Sequence, residues 1–274
     1  MTQQKFDVSG RTIVVKYGGA AMQSPELKSM VMDDIAVLKS VGALVVLVHG
    51  GGPVLSLVSK ELGKETKFVD GLRYTDAETV EIAVMVLSGK VSKELVSLLE
   101  KKGVKSLGIC GIDGSMLVAV KKEKPDLGFV GEVTKVDTKP ITVALDAGYT
   151  PVIASLAIGK GGQIFNVNAD TAASEIAIAL KADFLIQMSD VKGLLLDKDD
   201  ESTLVSEISI PEIGSLISDG TIAGGMIPKI LGSVDAVTRG VSQVAIIDGR
   251  EEHALLREFS EGGIGTRIIN EGKI

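Results

Sequence analysis

Two glycine-containing turns carry the residue types most able to do chemistry. Lys16-Tyr17-Gly18-Gly19 follows one run of apolar β-branched residues, and His49-Gly50-Gly51-Gly52 follows another. Glycine lets a backbone approach a ligand closely, and free amides beside a helix N-terminus can point at an anion. Either turn alone could equally be a plain connection between two elements. Together, with a lysine on the first, they indicate an anionic ligand, most simply a phosphorylated one.

The familiar phosphate-binding motifs are absent from the sequence. Gly89-Lys90 lacks the flanking residues of G-x-x-x-x-G-K-[ST], and neither turn contains G-x-G-x-x-G. His49 and His253 are the only histidines, which excludes a histidine-rich metal site. We therefore expect no metal-ligating residues, and any Mg²⁺ to arrive on phosphates. His49 is expected to be held by backbone hydrogen bonds, and the single cysteine, Cys110, to pack in the core.

The elements that must position these turns alternate between strand and helix. Apolar β-branched runs separated by helical patterns predict an α/β fold, a three-layer αβα sandwich with a mainly parallel central sheet. Ligands of such sheets bind at the carboxyl ends of the strands, where both glycine turns lie. Strands are predicted at residues 11–16, 43–48, 106–109, 151–154, 183–188 and 243–247, a hairpin at 115–121 and 129–136, and helices at 25–40, 53–62, 76–101, 169–180, 211–218 and 226–237.

Two local features refine this outline. Thr75-Asp76-Ala77-Glu78 predicts a capping box, in which a hydroxyl and a carboxylate satisfy free amides reciprocally, at the start of the long helix. A lobe boundary is expected near residue 182, which divides the chain into 1–182 and 183–274.

Composition excludes several classes of protein. The 274 residues contain 29 Lys and Arg against 36 Asp and Glu, a net charge of −7, and only 3% are aromatic. An acidic chain with few stacking side chains argues against a nucleic-acid partner. No apolar run approaches the roughly 20 residues of a membrane-spanning helix, and residues 1–7 have no signal-peptide core. We therefore expect no membrane association and a cytoplasmic location.

Five segments carry a family resemblance. They read VVKYGGAAM (14–22), HGGGP (49–53), GLRYTDAETVEIAVMVLSGKVSKELV (71–96), NVNAD (166–170) and GGMIPK (224–229). In this order they resemble the amino-acid kinase family, and most closely its acetylglutamate branch. The resemblance implies that family's sandwich fold, with substrate binding and dimerisation in 1–182 and ATP binding in 183–274.

The resemblance also implies a reaction. The γ-phosphoryl group of ATP, with Mg²⁺ carried on the phosphates, would pass to the side-chain carboxylate of N-acetyl-L-glutamate, a step of arginine biosynthesis. A carboxylate is already ionised at neutral pH, so the nucleophile needs no general base. Catalysis then reduces to positioning and to neutralising charge on the phosphoryl oxygens.

Site residues follow by the same analogy. Lys16 and Lys229 would flank the transferring group, with Asp170 between their ammonium groups. Taken singly, Lys229 would be a solvated helix lysine and Asp170 a favourable charge in a first helical turn. Substrate binding is expected at Gly51, Gly52, Arg73 and Asn166. Nucleotide binding is expected at Gly18, Gly19, Ser189, Asp190, Val191, Lys192, Gly193, Leu194, Thr221, Ile222 and Ala223.

Two rival functions remain open at this point. Tyr74 and residues 108–114, which match the acetylglutamate branch less closely than the other motifs do, also suit aminoadipate-type kinases, which act on a carrier-linked acid. A non-catalytic sensor of the same fold is the second rival, although both lysines are retained.

The first strand begins near residue 11, which leaves too little chain for the N-terminal helix of arginine-inhibited hexamers. We therefore expect a homodimer with weak or no arginine feedback.

Overall fold

One large sheet runs through the centre of the molecule. The computed structural model describes residues 7–69, 71–197, 199–222, 226–260 and 263–269. The strands are β1 (Thr12–Tyr17), β2 (Leu44–His49), β3 (Phe68–Val69), β4 (Leu72–Arg73), β5 (Ser106–Cys110), β6 (Leu117–Lys121), β7 (Gly131–Val136), β8 (Thr150–Ala154), β9 (Leu156–Ile158), β10 (Ile164–Asn166), β11 (Phe184–Ser189), β12 (Glu207–Ser209), β13 (Gln243–Asp248) and β14 (Thr266–Ile269). Eight of them form this sheet in the order β12-β14-β13-β11-β1-β2-β8-β5. Neighbouring strands are parallel except β13 and β14, so the mainly parallel sheet is confirmed.

Helices cover both faces of the sheet. They are α1 (Pro25–Ser40), α2 (Gly52–Glu61), α3 (Ala77–Ala83), α4 (Ser92–Lys101), α5 (Lys139–Asp146), α6 (Ala169–Leu180), α7 (Ile210–Ser218), α8 (Met226–Thr238) and α9 (Ala254–Glu258). Buried side chains of α1, α2, α4 and α9 pack in one apolar cluster, and those of α5, α6, α7 and α8 pack in a second. The predicted three-layer sandwich is thereby confirmed.

The sequence of β1 shows why its apolar run is continuous. Ile13 and Val15 point into the first cluster, whereas Val14 points into the second. Successive side chains of a strand face opposite sides of the sheet, so a strand covered on both faces needs apolar residues at every position. Lys16 interrupts the apolar run, and the next residue, Tyr17, is again fully buried in the first cluster.

The long predicted helix exists, but it is not uniform. A π-helical stretch (Val84–Val91) joins α3 to α4 without a break. The predicted capping box is wrong: Asp76 caps α3 by accepting the Thr79 amide at 2.9 Å, and the Thr75 hydroxyl donates to the Arg73 carbonyl at 3.2 Å. The hydroxyl is one residue too early to reach the first free amides.

A smaller sheet packs beside the large one. The predicted hairpin is confirmed as β6 and β7, and the sheet order is β10-β9-β6-β7. The pair β3 and β4 forms a separate two-stranded hairpin. Within the described residues, no helix combines the length and apolar character needed to cross a membrane.

Candidate active site

The carboxyl ends of β1, β2 and β11 lie side by side at one edge of the large sheet. Lys16 on β1 is in register with Val48 on β2 and Gln187 on β11. The Lys16 side chain is mostly buried, and its Nζ lies 3.0 Å from Asp170 Oδ1. It also donates to the Met188 carbonyl at 3.3 Å. The ammonium is therefore held in place at the strand end.

Asp170 is fixed by the start of α6. The side chain of Asn168 caps this helix by accepting hydrogen bonds from the amides of Asp170 at 2.9 Å and Thr171 at 3.1 Å. A carboxylate in a first helical turn is stabilised by the partial positive charge of the free amides. This local structure places the Asp170 carboxylate beside the Lys16 ammonium.

Lys229 and Asp170 line one cleft, which we call the lysine cleft. The cleft has a volume of about 610 Å³, and Asp170, Gln187 and Lys229 all line it. Lys229 lies in the first turns of α8, and among the described residues it has no carboxylate partner within 4.0 Å. The structure thus shows Asp170 against Lys16, whereas the expected contact of Asp170 with Lys229 stays a prediction.

The four predicted substrate residues meet in one small pocket. Gly51, Gly52, Arg73 and Asn166 all line a cavity of about 200 Å³. Gly71, Leu72, Val130 and Asn168 line both this pocket and the larger cleft, so the two spaces adjoin. A small ligand in the pocket would therefore face the lysine cleft.

Arg73 enters the pocket with its charge uncompensated by any described carboxylate. Its Nη1 donates to Thr66 Oγ1 at 3.1 Å, and its Nη2 donates to the Gly52 carbonyl at 2.9 Å and to Ser56 Oγ at 2.8 Å. The guanidinium also lies over the Phe68 ring, 4.9 Å from its centre. Burial lowers the pKa of Arg73, yet arginine stays charged at neutral pH. Such a group is well suited to bind a ligand carboxylate.

The glycines of the second turn have a steric role as well as a binding role. A Cβ atom at Gly51 would lie 2.7 Å from Leu87 Cδ2 on the π-helical stretch. A larger residue would therefore displace either the turn or the Leu87 side chain. Gly51 precedes α2, whose first amides have no partner within the helix. Close packing and free amides together form one wall of the pocket.

Asn166 closes the pocket from the smaller sheet. It is the last residue of β10, and its Nδ2 donates to Thr75 Oγ1 at 3.3 Å. Its side-chain carbonyl has no described donor, so the amide can still serve a polar ligand.

A third cavity holds five of the eleven predicted nucleotide residues. It has a volume of about 620 Å³, and Val191, Lys192, Gly193, Leu194 and Thr221 line it. Every described residue that lines it follows residue 183, and every residue that lines the small pocket precedes residue 182.

The other described residues that were predicted to bind the nucleotide do not line this cavity. Ser189 and Asp190 lie at the end of β11, where the Ser189 hydroxyl donates to Asp190 Oδ1 at 3.2 Å. Ile222 packs in the second apolar cluster rather than on the cavity wall, because its side chain is apolar and fully enclosed. Ala223 lies outside the described residues.

The first glycine turn lies against Lys16 and not in the third cavity. A Cβ atom at Gly18 would lie 3.2 Å from Lys16 Nζ, and Gly19 has a φ of +69°, in the left-handed region that favours glycine. Gly18 therefore lies beside the Lys16 ammonium, and neither glycine lines the third cavity.

Arg250 and Gln187 are among the cavity-lining residues that were not predicted from the sequence. Arg250 lines the third cavity and is held by Asp248, with Nε–Oδ1 and Nη2–Oδ2 distances of 2.9 and 2.6 Å. Gln187 lines the lysine cleft, and its signal was a polar residue inside the otherwise apolar strand FLIQMS. Both lie at or near the carboxyl end of a parallel strand, where sites of this architecture form.

His49 and Cys110 behave as predicted. His49 Nδ1 lies 2.8 Å from the Gly50 carbonyl, and burial lowers the pKa of the imidazole to about 4, so the ring is neutral at pH 7. Cys110 is buried, and that burial raises the pKa of its thiol. Neither group is suited to catalysis at neutral pH.

Comparison with known proteins adds independent evidence. The model of the amino acid kinase family matches residues 11–248. An acetylglutamate kinase from Brachyspira hyodysenteriae is 54% identical over 265 residues, which are 96% of this chain and 91% of that protein. An acetylglutamate kinase from Clostridioides difficile is 48% identical and covers 96% of this chain and 93% of its own length.

Solved structures share the fold. An N-acetylglutamate synthase from Neisseria gonorrhoeae, complexed with coenzyme A and N-acetyl-glutamate, superposes with a TM-score of 0.82 at 28% identity. The match covers 96% of this chain but spans 60% of the synthase. A carbamate kinase from Giardia lamblia bound to AMP-PNP superposes at 0.67 with 18% identity, over 95% and 99% of the two chains.

The sequence motifs, the fold and the comparisons agree over nearly the whole chain. The motifs supply Gly51 and Asp170 to adjoining cavities at the carboxyl edge of a mainly parallel sheet, and Lys16 contacts Asp170 there. The family model spans far more than half of the residues, and two relatives match almost their entire length. The chain belongs to the amino acid kinase family.

Proposed function

We propose that this protein is an acetylglutamate kinase, which transfers the γ-phosphoryl group of ATP to the side-chain carboxylate of N-acetyl-L-glutamate in arginine biosynthesis. One observation carries the proposal: a small pocket lined by Arg73 and the turn glycines adjoins the cleft that Asp170 and Lys229 line, and Lys16 contacts Asp170. Relatives that are 48% and 54% identical and named acetylglutamate kinase support the same reaction.

Substrate binding follows from the charges of the pocket. The Arg73 guanidinium is held by neutral oxygens, so its full charge is available for a carboxylate of the substrate. The free amides at Gly51 and Gly52 supply further donors, and Asn166 supplies a polar contact. Held in this way, the second carboxylate points toward the lysine cleft, where it attacks as an already ionised nucleophile.

Phosphoryl transfer then depends on charge neutralisation. Lys16 and Lys229 neutralise the phosphoryl oxygens, and the amides near Gly18 and Gly19 add donors on the same side. Asp170 holds the Lys16 ammonium, since the two groups lie 3.0 Å apart. The chain's own contribution is thus positioning and electrostatics, with no proton to remove.

ATP and its metal fit the remaining space. We propose that the adenosine part lies in the 620 Å³ cavity beside Val191 and Thr221, with Lys192 and Arg250 as cationic walls. Lysines and glycine amides form a donor set for phosphate oxygens, so Mg²⁺ would reach the cleft on the phosphates. The bound ion would supply further neutralisation of phosphate charge.

The division of the chain and its assembly complete the proposal. Residues 1–182 hold the substrate pocket and residues 183–274 the nucleotide cavity, which supports the two lobes expected from the sequence.

A homodimer is supported by Met85 and Leu107, large apolar side chains that are 58% and 42% exposed, the second on the outer strand β5. Light scattering that gives a monomer or a hexamer would contradict the dimer. We also propose a cytoplasmic location.

Hydroxylamine trapping tests the reaction directly. With ATP, Mg²⁺ and N-acetyl-L-glutamate, the acyl phosphate product reacts with hydroxylamine to give a coloured acylhydroxamate. Glutamate, aspartate and an aminoadipate derivative serve as comparison substrates. The proposal fails if N-acetyl-L-glutamate gives no acylhydroxamate, or if the aminoadipate derivative is the better substrate.

A further inference from the structure

Gln187 is a buried amide with an unsatisfied acceptor. It lies on β11, and only 3% of the residue is exposed. Its Oε1 is buried and has no hydrogen-bond donor among the described residues. A buried carbonyl without a donor destabilises a protein, so such a group calls for a partner that a ligand or a moving side chain supplies.

Gln187 lines the lysine cleft. It is in register with Lys16 on the adjacent parallel strand, so both side chains project from the same face of the sheet. That face is covered by α6, which contributes Asp170. The Lys16 ammonium already contacts Asp170 and the Met188 carbonyl. Lys16 is therefore engaged elsewhere and does not satisfy Gln187.

The cleft contains one cation that lacks a described acidic partner. Two lysines line the cleft, Lys122 and Lys229. Lys122 is paired with Glu132 at 2.6 Å, whereas no carboxylate of the described residues lies within 4.0 Å of the Lys229 ammonium. An acceptor without a donor and an ammonium without an acceptor thus line the same cavity.

We propose that Gln187 is a positioning residue for Lys229. When a phosphorylated ligand draws Lys229 into the cleft, Gln187 Oε1 accepts one N–H of its ammonium, and the remaining N–H groups face the transferring phosphoryl group. The inference deepens the proposed function, on which it rests for the identity of that ligand.

The chemistry of an amide suits this task. A neutral acceptor orients an ammonium without cancelling its charge, whereas a carboxylate in the same place would reduce the positive potential at the phosphoryl oxygens. Lys16 has such a carboxylate in Asp170.

Gln187→Leu tests the contact, because leucine keeps the bulk and removes the acceptor. We expect kcat to fall by about 10- to 100-fold, the loss of one hydrogen bond to a charged group, with both KM values within about threefold. The melting temperature should stay the same or rise, because an unsatisfied buried amide is removed. Gln243→Leu, on the neighbouring strand β13 and outside the cleft, should leave kcat unchanged.

A double-mutant cycle separates positioning from a structural role. In a Lys229→Ala background, Gln187→Leu should lower kcat by less than about twofold, because the residue has nothing left to position. An unchanged kcat in the single variant, or equal losses in both backgrounds, would overturn the inference. If the wild type forms no acylhydroxamate, the proposed function fails instead.

An NMR measurement decides the contact whatever the acceptor substrate is. The side-chain amide signal of Gln187, assigned by its absence in Gln187→Leu, should shift when AMP-PNP is added to the wild type. The same addition to Lys229→Ala should leave that signal in place. Equal shifts in the two proteins would contradict the contact even if the kinase reaction were established.

Discussion

The Arg73→Lys variant tests how the substrate carboxylate is recognised. A guanidinium has five N–H donors, and three of them already bind Thr66, Gly52 and Ser56. Two donors are therefore left for a ligand. Lysine has three donors in all, so an ammonium that replaced the protein contacts would have none left for the substrate.

The expected magnitude follows from this difference. Loss of one hydrogen bond to a charged partner costs roughly 1.5–3 kcal/mol, which is about 10- to 150-fold in a dissociation constant. We expect that increase in the Kd and KM for N-acetyl-L-glutamate. The KM for ATP should change by less than about twofold, because the nucleotide cavity lies in another part of the chain.

Isothermal titration calorimetry with N-acetyl-L-glutamate and steady-state hydroxamate assays measure these effects. Arg11→Lys is the matched control, because Arg11 is exposed and forms an ion pair with Asp183 at 2.8 Å, away from the pocket. A Kd for Arg73→Lys within threefold of the wild type would refute the reasoning. An equal rise in the KM for ATP would instead indicate a general disturbance of the fold.

Three further predictions follow from the site and its supports. Lys229→Ala should lower kcat by about 100- to 1,000-fold and leave both KM values within about threefold in steady-state assays, because the ammonium acts on charge that develops during transfer. Asp76→Ala should cost about 1 kcal/mol of unfolding free energy at pH 7 in urea titrations. Partial burial raises the pKa of Asp76, but hydrogen bonds from the capped amide and a neighbouring lysine lower it to about 2. The carboxylate therefore stabilises the fold above its unfolded pKa, and the difference between the two proteins should shrink as the pH falls from 5 toward 2. Gly51→Ala should lower the unfolding free energy by about 1–3 kcal/mol and weaken N-acetyl-L-glutamate binding in calorimetry, because the added Cβ would lie 2.7 Å from Leu87. Gly214→Ala is the control: it lies in α7, its Cβ would have free space, and it should stabilise the protein.

Each of these predictions has a clear contrary result. An unchanged kcat would remove Lys229 from the transfer site. A stability difference for Asp76→Ala that stays constant between pH 7 and pH 3 would exclude the carboxylate charge as the cause. If Gly51→Ala and Gly214→Ala had the same effect on stability, the close packing of the turn against the π-helical stretch would not matter.

The buried strands and their glycine turns were predictable because their signals are local. β1 and β2 are continuous apolar runs that end in Lys16 and in a glycine triplet, and Asn168 is a good N-cap residue in a short polar segment. Each pattern reports directly on burial or on a free amide. Their convergence at one sheet edge then follows from parallel topology.

The unpredicted features depend on distant parts of the chain. β12 and β14 have three and four residues, and they become strands only by pairing with each other and with β13. The proposed role of Gln187 depends on β11 lying beside β1 and on the cleft that Gln187 lines. Neither can be read from the local sequence. Cavity walls made by residues far apart in sequence leave no periodic signal.

The π-helical stretch also sets the phase of the long helix. A π turn holds one more residue than an α turn, so the side chains of α4 are rotated about the helix axis relative to those of α3. α3 packs against α2 and β10 beside the substrate pocket, whereas α4 packs against α1 and β5 in the scaffold. The π-helical stretch thus lets α3 and α4 turn their buried sides toward different packing partners. Deleting a single residue within it would turn α4 by about 100° and force the chain to give up one of its two packing partners.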